Sequence, residues 1–434
     1  MAAVLLISSA GISQVPVKRK KKQQKTEQTN EQKKKTEQTD VPKPKPNPKA
    51  KSVAKQRQTS SESLSAEEMF QKGLTAYNSN NYIEAHNWYL KAAEQGYAIA
   101  QNELAVMYRS GLGVIQDIPE AIKWYKAAAG QGYPVAQYNL GYAYRNGIGV
   151  DKDYAEAAKW FKAAAEQGYA LAQNELGYLY QNGFGIIKNY AEAVRWYKAA
   201  AEQNHPIAQT NLGYLYETGK GVSKDFGEAV KWHRKSAEQG YAMGQRNLGY
   251  MYQHGYGVAQ NYAEAIKWYK AAANQGNAVA QTDIGYMYKN GLGVNQNFAE
   301  AVRWFSTAAE QGFAPAQTEL GHMYLYGYGV GKNFAEAVKH YKAAAGQGYA
   351  EAQNNLGYMY HNGNGIKLSY TEAVKWYKAA AEQGHAMAQH NVGYMYEKGE
   401  GVSKDMNEAI KWYRKAAAQG YQDAKKALTR LGAN

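Results

Sequence analysis

The sequence predicts an all-α protein: a right-handed α-solenoid of about ten stacked helix pairs behind a disordered, basic N-terminal segment. Three observations carry this prediction. A leucine-type position recurs every 36 residues, from Leu104 and Leu140 through Leu176, Leu212, Leu248, Ile284, Leu320, Leu356 and Val392 to Leu428. A fixed period of this length marks a chain built from one repeated supersecondary unit. All nine tryptophans fall in a single column of that period, from Trp88 to Trp412, and only His340 interrupts it. Each period also carries two glycine stops and one polar-acidic start, the signals that end and begin helices.

Composition agrees with a repeat. Of 434 residues 45 % are hydrophobic, and tyrosine outnumbers phenylalanine 39 to 8, a bias that one reused motif produces. The absence of cysteine excludes disulfides, thiolate metal sites and a cysteine nucleophile. The net charge of +14 is localised: residues 1–60 hold 15 Lys/Arg against 4 Asp/Glu, leaving 36 against 33 for the rest. The repeats are close to neutral, a poor electrostatic footprint for nucleic acid.

Taken in order, residues 1–13 ("MAAVLLISSAGIS") are a short apolar run ending in small residues, like the core of a secretory signal with cleavage after Ala10. The expected location is therefore periplasmic or secreted, with the cytoplasm as the alternative, because no basic residue precedes the run. Residues 14–65 are a Lys/Gln/Pro-rich linker with too little apolar surface to offset ordering entropy. Within it the Lys18–Lys22 cluster could make weak, salt-sensitive contact with an anionic surface.

From about residue 66 each unit reads as two helices. Helix A, such as 134–147, places Ala136, Leu140 and Tyr144 on one face; helix B, such as 154–168, does so with Ala157, Trp160, Phe161 and Ala164. Between them lies a Gly-x-Gly-Val/Ile element, at 147–150 here and nine times in all. Its first glycine is expected to end helix A with left-handed dihedrals, and its second to relieve the turn. Helix B opens on a capping box in ten units, Asp153/Glu156 and Asn297/Glu300 among them, and ends at glycine, with Asn204 standing in once. No strand precedes the Gly-x-Gly and no Lys-Ser/Thr follows it, so it is not a nucleotide-binding loop.

The consensus A-Q-x-x-L-G-x-M-Y-x-x-G-x-G-V, followed by (D/N)-(Y/F)-x-E-A-x-K-W-Y-x-K-A-A-E-Q-G, resembles the Sel-one-like repeat, a tetratricopeptide-type helix pair with a longer internal loop. The resemblance makes residues 98–421 nine such repeats. Residues 66–97, lacking Gly-x-Gly, resemble an ordinary tetratricopeptide pair, and 422–434 a capping helix. It implies a non-enzymatic scaffold or adaptor that binds another protein, with A helices lining the concave side. It also implies a bacterial exported or envelope setting in host contact or signalling. It supplies no catalytic residue and no cofactor, and the paired cysteines of some relatives are absent.

On that concave side, a helical wheel sets Tyr142 and its equivalents Tyr178, Tyr214, Tyr250, Tyr286, Tyr358 and Tyr394 away from helix B, with Val106 and His322 as exceptions. A row of rigid aromatics with hydroxyls suits recognition of a protein, or of a glycan. Flanking positions vary between units, Tyr138, Asn174, Arg246 and His390 among them, as expected of one scaffold with a differentiated groove. The competing reading is that these tyrosines only pack between adjacent A helices.

Two other functions are weaker. An enzyme acting on peptidoglycan, or a β-lactamase-like one, would need a nucleophile–base set or paired carboxylates outside the capping boxes. An RNA-binding helical repeat would need a basic groove, and the basic tail is the only source of nonspecific affinity. A monomer is expected, with no specific nucleic-acid partner. His322 and His340 break two columns in one unit, near His361, His385 and His390, but no H-x-x-x-H or H-E-x-x-H spacing supports a metal, so none is expected.

Overall fold

The computed structural model describes residues 64–433. The apolar start at 1–13 and the basic stretch that follows it to residue 63 lie outside the described residues. Among these, 21 helices and no strand occur, numbered α1–α21 in chain order. They run in A/B pairs from α1 (Ala66–Asn78) and α2 (Tyr82–Glu94) to α19 (Ala386–Lys398) and α20 (Met406–Ala418), and end on the lone α21 (Gln422–Arg430). Substantial contacts join consecutive helices, and also neighbouring A helices such as α13 (Ala278–Asn290) with α15 (Ala314–Tyr326). A stack in which each unit touches its neighbours is the expected solenoid architecture.

The helix boundaries follow the anticipated chemistry. α5 (Pro134–Asn146) stops at Gly147 with φ 71°, and α6 (Tyr154–Glu166) starts at Asp153, which accepts from the Ala155 and Glu156 amides. Asn204 adopts φ 64°, as the glycines of its column do. The start of α1 is better defined than the linker boundary at 65 anticipated. Ser65 caps it in a reciprocal box, its hydroxyl accepting from the Glu68 amide and its own amide donating to the Glu68 carboxylate (2.8 Å). In the other boxes the glutamate does not reach the N-cap amide; Glu84 accepts from the Asn81 side chain, and the rest turn outward to a Lys or Arg three residues on, as in Glu120–Lys123 and Glu300–Arg303.

The core differs in one respect from the tryptophan-centred expectation. Most of the tryptophans are only half-buried, and the fully buried ring is the next residue: Tyr89, Tyr125, Phe161, Tyr197, Tyr269, Phe305, Tyr341 and Tyr413. Each ring lies on the helix A glycine of its own pair, except Tyr125, whose pair carries Ala105 at that position. A Cβ at Gly141 would stand 2.8 Å from the Phe161 ring, and one at Gly177 the same distance from Tyr197. The glycine after leucine is therefore a seat for an aromatic ring. The second glycine of each loop does more than relieve a turn. At Gly185 and Gly221 it has positive φ and abuts the backbone of the preceding helix B at Tyr154 and Tyr190, where a side chain would not fit.

Glutamines tie successive units. Gln281 donates to the Ala273 carbonyl of the preceding helix B (3.2 Å) and accepts from Gln311 at the end of its own (2.7 Å). The same pair of bonds forms at Gln101, Gln137, Gln173, Gln209, Gln245, Gln317, Gln353 and Gln389. Buried amides paired at both ends fix one register, because any slip leaves them unsatisfied.

Candidate functional site

The tyrosine column sits at the junctions between units. Tyr142 packs against the apolar cluster formed by its own helix B and the next helix A, and Tyr178 and Tyr250 do the same one and three units on. Tyr142, Tyr178, Tyr214, Tyr250, Tyr286 and Tyr394 are half-buried, and Tyr358 is exposed at 47 %. Each of these rings thus spends part of its area on packing and presents the rest.

Charge surrounds them. The Arg145 and Arg246 guanidiniums lie over Tyr142 and Tyr250, and Lys398 lies over Tyr394. Lys220 donates to the Tyr214 hydroxyl (3.2 Å). The Tyr286 hydroxyl donates to Glu319 (2.9 Å), and burial followed by the charge of Glu319 pushes its pKa well above the usual phenol value. A cation over a ring contributes about 0.5–1 kcal/mol at an exposed site. These groups orient the rings, and Arg145 and Arg246 are themselves covered and paired with Glu175 and Asp283.

The flanking positions expected to differentiate the groove lie elsewhere. Asn174 is 4 % exposed, points its amide at Glu175 and accepts from Asn211 of the next unit (3.2 Å). Arg246 is bound to Asp283 of the next unit (2.8 Å). Tyr138 packs on Phe161 and Tyr169, and His390 between Tyr413 and Tyr421, where burial lowers its pKa. The reason is geometric: in a stack, the side of an A helix turned from its own B helix faces the next A helix, so a wheel drawn for one pair mistakes a junction for solvent.

Their partners form a column that the sequence reading passed over. One residue before each leucine-type position from Leu104 to Val392 stands Asn, Asp or Glu, and in most units it reaches back to the preceding unit: Asn139 to Asn102 and Asn391 to Asn354 (both 2.9 Å). Glu175 receives Arg145, and Glu319 receives Lys289 (2.7 Å). The signal was present, since no other residue type occupies that position from Glu103 to Asn391.

A variable neighbour of the tyrosines is instead the middle residue of the Gly-x-Gly loop: Phe184, Lys220 and Tyr256 touch their column tyrosines, and other units carry Ile148, Leu292, Tyr328, Asn364 or Glu400 at that position. Phe184 stands 6.0 Å from Tyr178 between ring centroids, and Tyr256 6.1 Å from Tyr250. Each of these two also stacks on the first residue of the preceding helix B, Tyr154 or Phe226. Phe184, Tyr326, Tyr328, Tyr358 and Tyr370 are the exposed aromatics of the described residues, four of them between 326 and 370.

Among the described residues, no helix is long and apolar enough to cross a membrane. The family profile described as Sel1 repeat matches ten consecutive segments, 63–97, 98–133, 134–169, 170–205, 206–241, 242–277, 278–313, 314–349, 350–385 and 386–421. It thus takes in the first pair, whose short turn resembled an ordinary tetratricopeptide unit. The chain is similar to a solved structure described as a protective antigen present in uropathogenic Escherichia coli strains displaying an SLR fold. Identity is 39 %, coverage 84 % of this chain and 79 % of that one, and the TM-score 0.66. It is also similar to a Sel1 repeat protein from Oxalobacter formigenes, with 36 % identity, 56 % and 99 % coverage, and a TM-score of 0.53. No curated protein matches the chain.

Proposed function

The chain belongs to the Sel1 repeat family, and from that premise we propose that it is a non-enzymatic adaptor whose A-helix face holds a partner protein. The observation that carries this reading is the row of tyrosines from Tyr142 to Tyr394, half-buried except for Tyr358, with a loop residue that changes from unit to unit beside Tyr178, Tyr214 and Tyr250. Fixed rings supply contact area at low entropy cost, and the changing neighbours supply selectivity. The exposed tyrosines between 326 and 370 make that stretch the centre of the contact. A protein rather than a glycan is favoured because the face is long and mixes rings with both signs of charge.

We place the protein in the bacterial envelope or outside the cell, as the apolar start suggests and as befits a chain similar to a protective antigen of Escherichia coli. Osmotic-shock fractionation with N-terminal sequencing tests this; release of a chain beginning at Gly11 is expected, and an intact cytoplasmic chain overturns it.

Photo-cross-linking tests the binding face. A benzoylphenylalanine is placed at Tyr250 or Tyr358 on the A face, or at the exposed Lys159 and Lys267 on helix B, in the full chain within its producing cell. One dominant adduct from the tyrosine positions, absent from the lysine positions, is expected. Adducts from helix B alone, or equal adducts from both faces, would overturn the proposal.

A further inference from the structure

Two departures from the repeat pattern meet in one place. The tyrosine column carries histidine once, at His322. Five residues before each leucine-type position from Leu104 to Val392 the units carry an apolar residue, such as Leu171, Val279 or Met387, and only Glu351 is charged there. His322 belongs to α15 (Ala314–Tyr326) and Glu351 to α17 (Ala350–Asn362), the A helix of the next unit. Random drift in separate units has no reason to bring an imidazole and a carboxylate together.

A third ligand is already on the spot. Glu319 and His322 form a Glu-x-x-His pair on one face of α15, since residues three apart are neighbours on a helix. Donor atoms of Glu319, His322 and Glu351 lie within 4.8 Å of one another, and His322 Nδ1 is 3.8 Å from Glu319 Oε1. Donors at about 2.1 Å from a tetrahedral ion stand roughly 3.4 Å apart, so small side-chain rotations close the triangle.

The surroundings are those of a supported site. The Asn355 side-chain amide lies 2.9 Å from His322 Nε2; with its amide turned so that the oxygen accepts from Nε2–H, it holds the ring with the Nδ1 lone pair toward the carboxylates. Tyr286 donates to Glu319 Oε1 (2.9 Å), Lys289 to Glu319 Oε2 (2.7 Å), and Tyr349 to Glu351 Oε2 (3.3 Å). Lys289 occupies one oxygen of Glu319 and leaves the other, which has a lone pair to spare beyond the tyrosine bond. Glu319 is buried while His322 and Glu351 are half-buried, so the third side stays open for entry.

We propose that Glu319, His322 and Glu351 bind one divalent transition-metal ion of the zinc type, which clips α15 to α17. One imidazole with two carboxylates suits such an ion better than calcium or magnesium, which favour all-oxygen sets. The sequence search missed the site because it sought two histidines on one helix, and the third ligand comes from the neighbouring unit.

Isothermal titration of the chelator-treated full chain with zinc chloride, paired with thermal unfolding, tests it. His322→Tyr and Glu351→Leu each install the residue that other units carry, so both variants should keep the fold, which circular dichroism checks. Wild type is expected to take up one equivalent of zinc with a rise in unfolding temperature. Each variant should bind at least about 100-fold more weakly, at or beyond the upper end of losses for removing a mere supporting partner. Absence of stoichiometric binding to wild type, or undiminished binding by either folded variant, would overturn the assignment.

Discussion

At the residue scale, the glycine after each leucine shows how a small side chain specifies a large one. The Phe161 ring fills the space that a Cβ on Gly141 would need, so Gly141→Val overpacks the junction. Overpacking of this kind costs about 1–3 kcal/mol, which urea unfolding of the variant would show as a lower midpoint. His233 makes the converse case. It replaces the buried aromatic of its column, is 0 % exposed, and neither ring nitrogen has a hydrogen-bond partner, although Glu217 Oε2 lies 3.7 Å from Nε2. Removing a buried unsatisfied polar group recovers on the order of 1 kcal/mol or more, so His233→Phe is expected to raise the unfolding temperature.

At the scale of the element, caps and glutamines outweigh the visible ion pairs. Asn297→Ala removes the acceptor of the Glu300 amide and should cost about 0.5–2 kcal/mol. Glu300→Ala loses only an exposed pair with Arg303 and should cost a few tenths, roughly 0.3–0.5 kcal/mol. Equal losses in denaturant titration would contradict the half-formed box. His205 caps α9 (Pro206–Thr218) by accepting from the Ala208 amide, and burial lowers its pKa to about 4. The unfolded chain binds the proton first, so stability falls as pH drops from about 6.5 to about 4. Asn277 caps its helix in the same way. His205→Asn should therefore keep the stability seen at neutral pH and flatten part of that acid slope, as thermal unfolding at stepped pH would show.

For the whole molecule, the repeat is the unit of deletion. Gln281 and its equivalents bind both the unit before and their own helix B, so removing all of 206–241 rejoins like surfaces. That deletion is expected to leave helicity per residue unchanged, whereas an 18-residue deletion that fuses two A helices should not fold cooperatively. Circular dichroism of the two chains decides it. α21 closes the far end on Ala409, Tyr413 and Ala416, and Arg430 reaches Glu397 (2.6 Å). Loss of 422–434 should raise hydrogen exchange in α20 while leaving the middle units protected.

The sequence alone determined the helix count, the caps and the glycine stops, because these depend on residues three to five apart in one chain segment. Gly147 and Asn204 take left-handed dihedrals, and Asp153 caps its helix, whatever lies beyond the pair. What only the tertiary structure decided is which side of an A helix meets solvent. Asn174 and Arg246 read as groove residues on a wheel, yet each bonds to the next unit, while Phe184 and Tyr256, read as turn residues, stand beside tyrosines of the column. The convergence of Glu319, His322 and Glu351 likewise needs the spacing of two stacked helices, since burial and contact between units depend on how the units stack rather than on local periodicity.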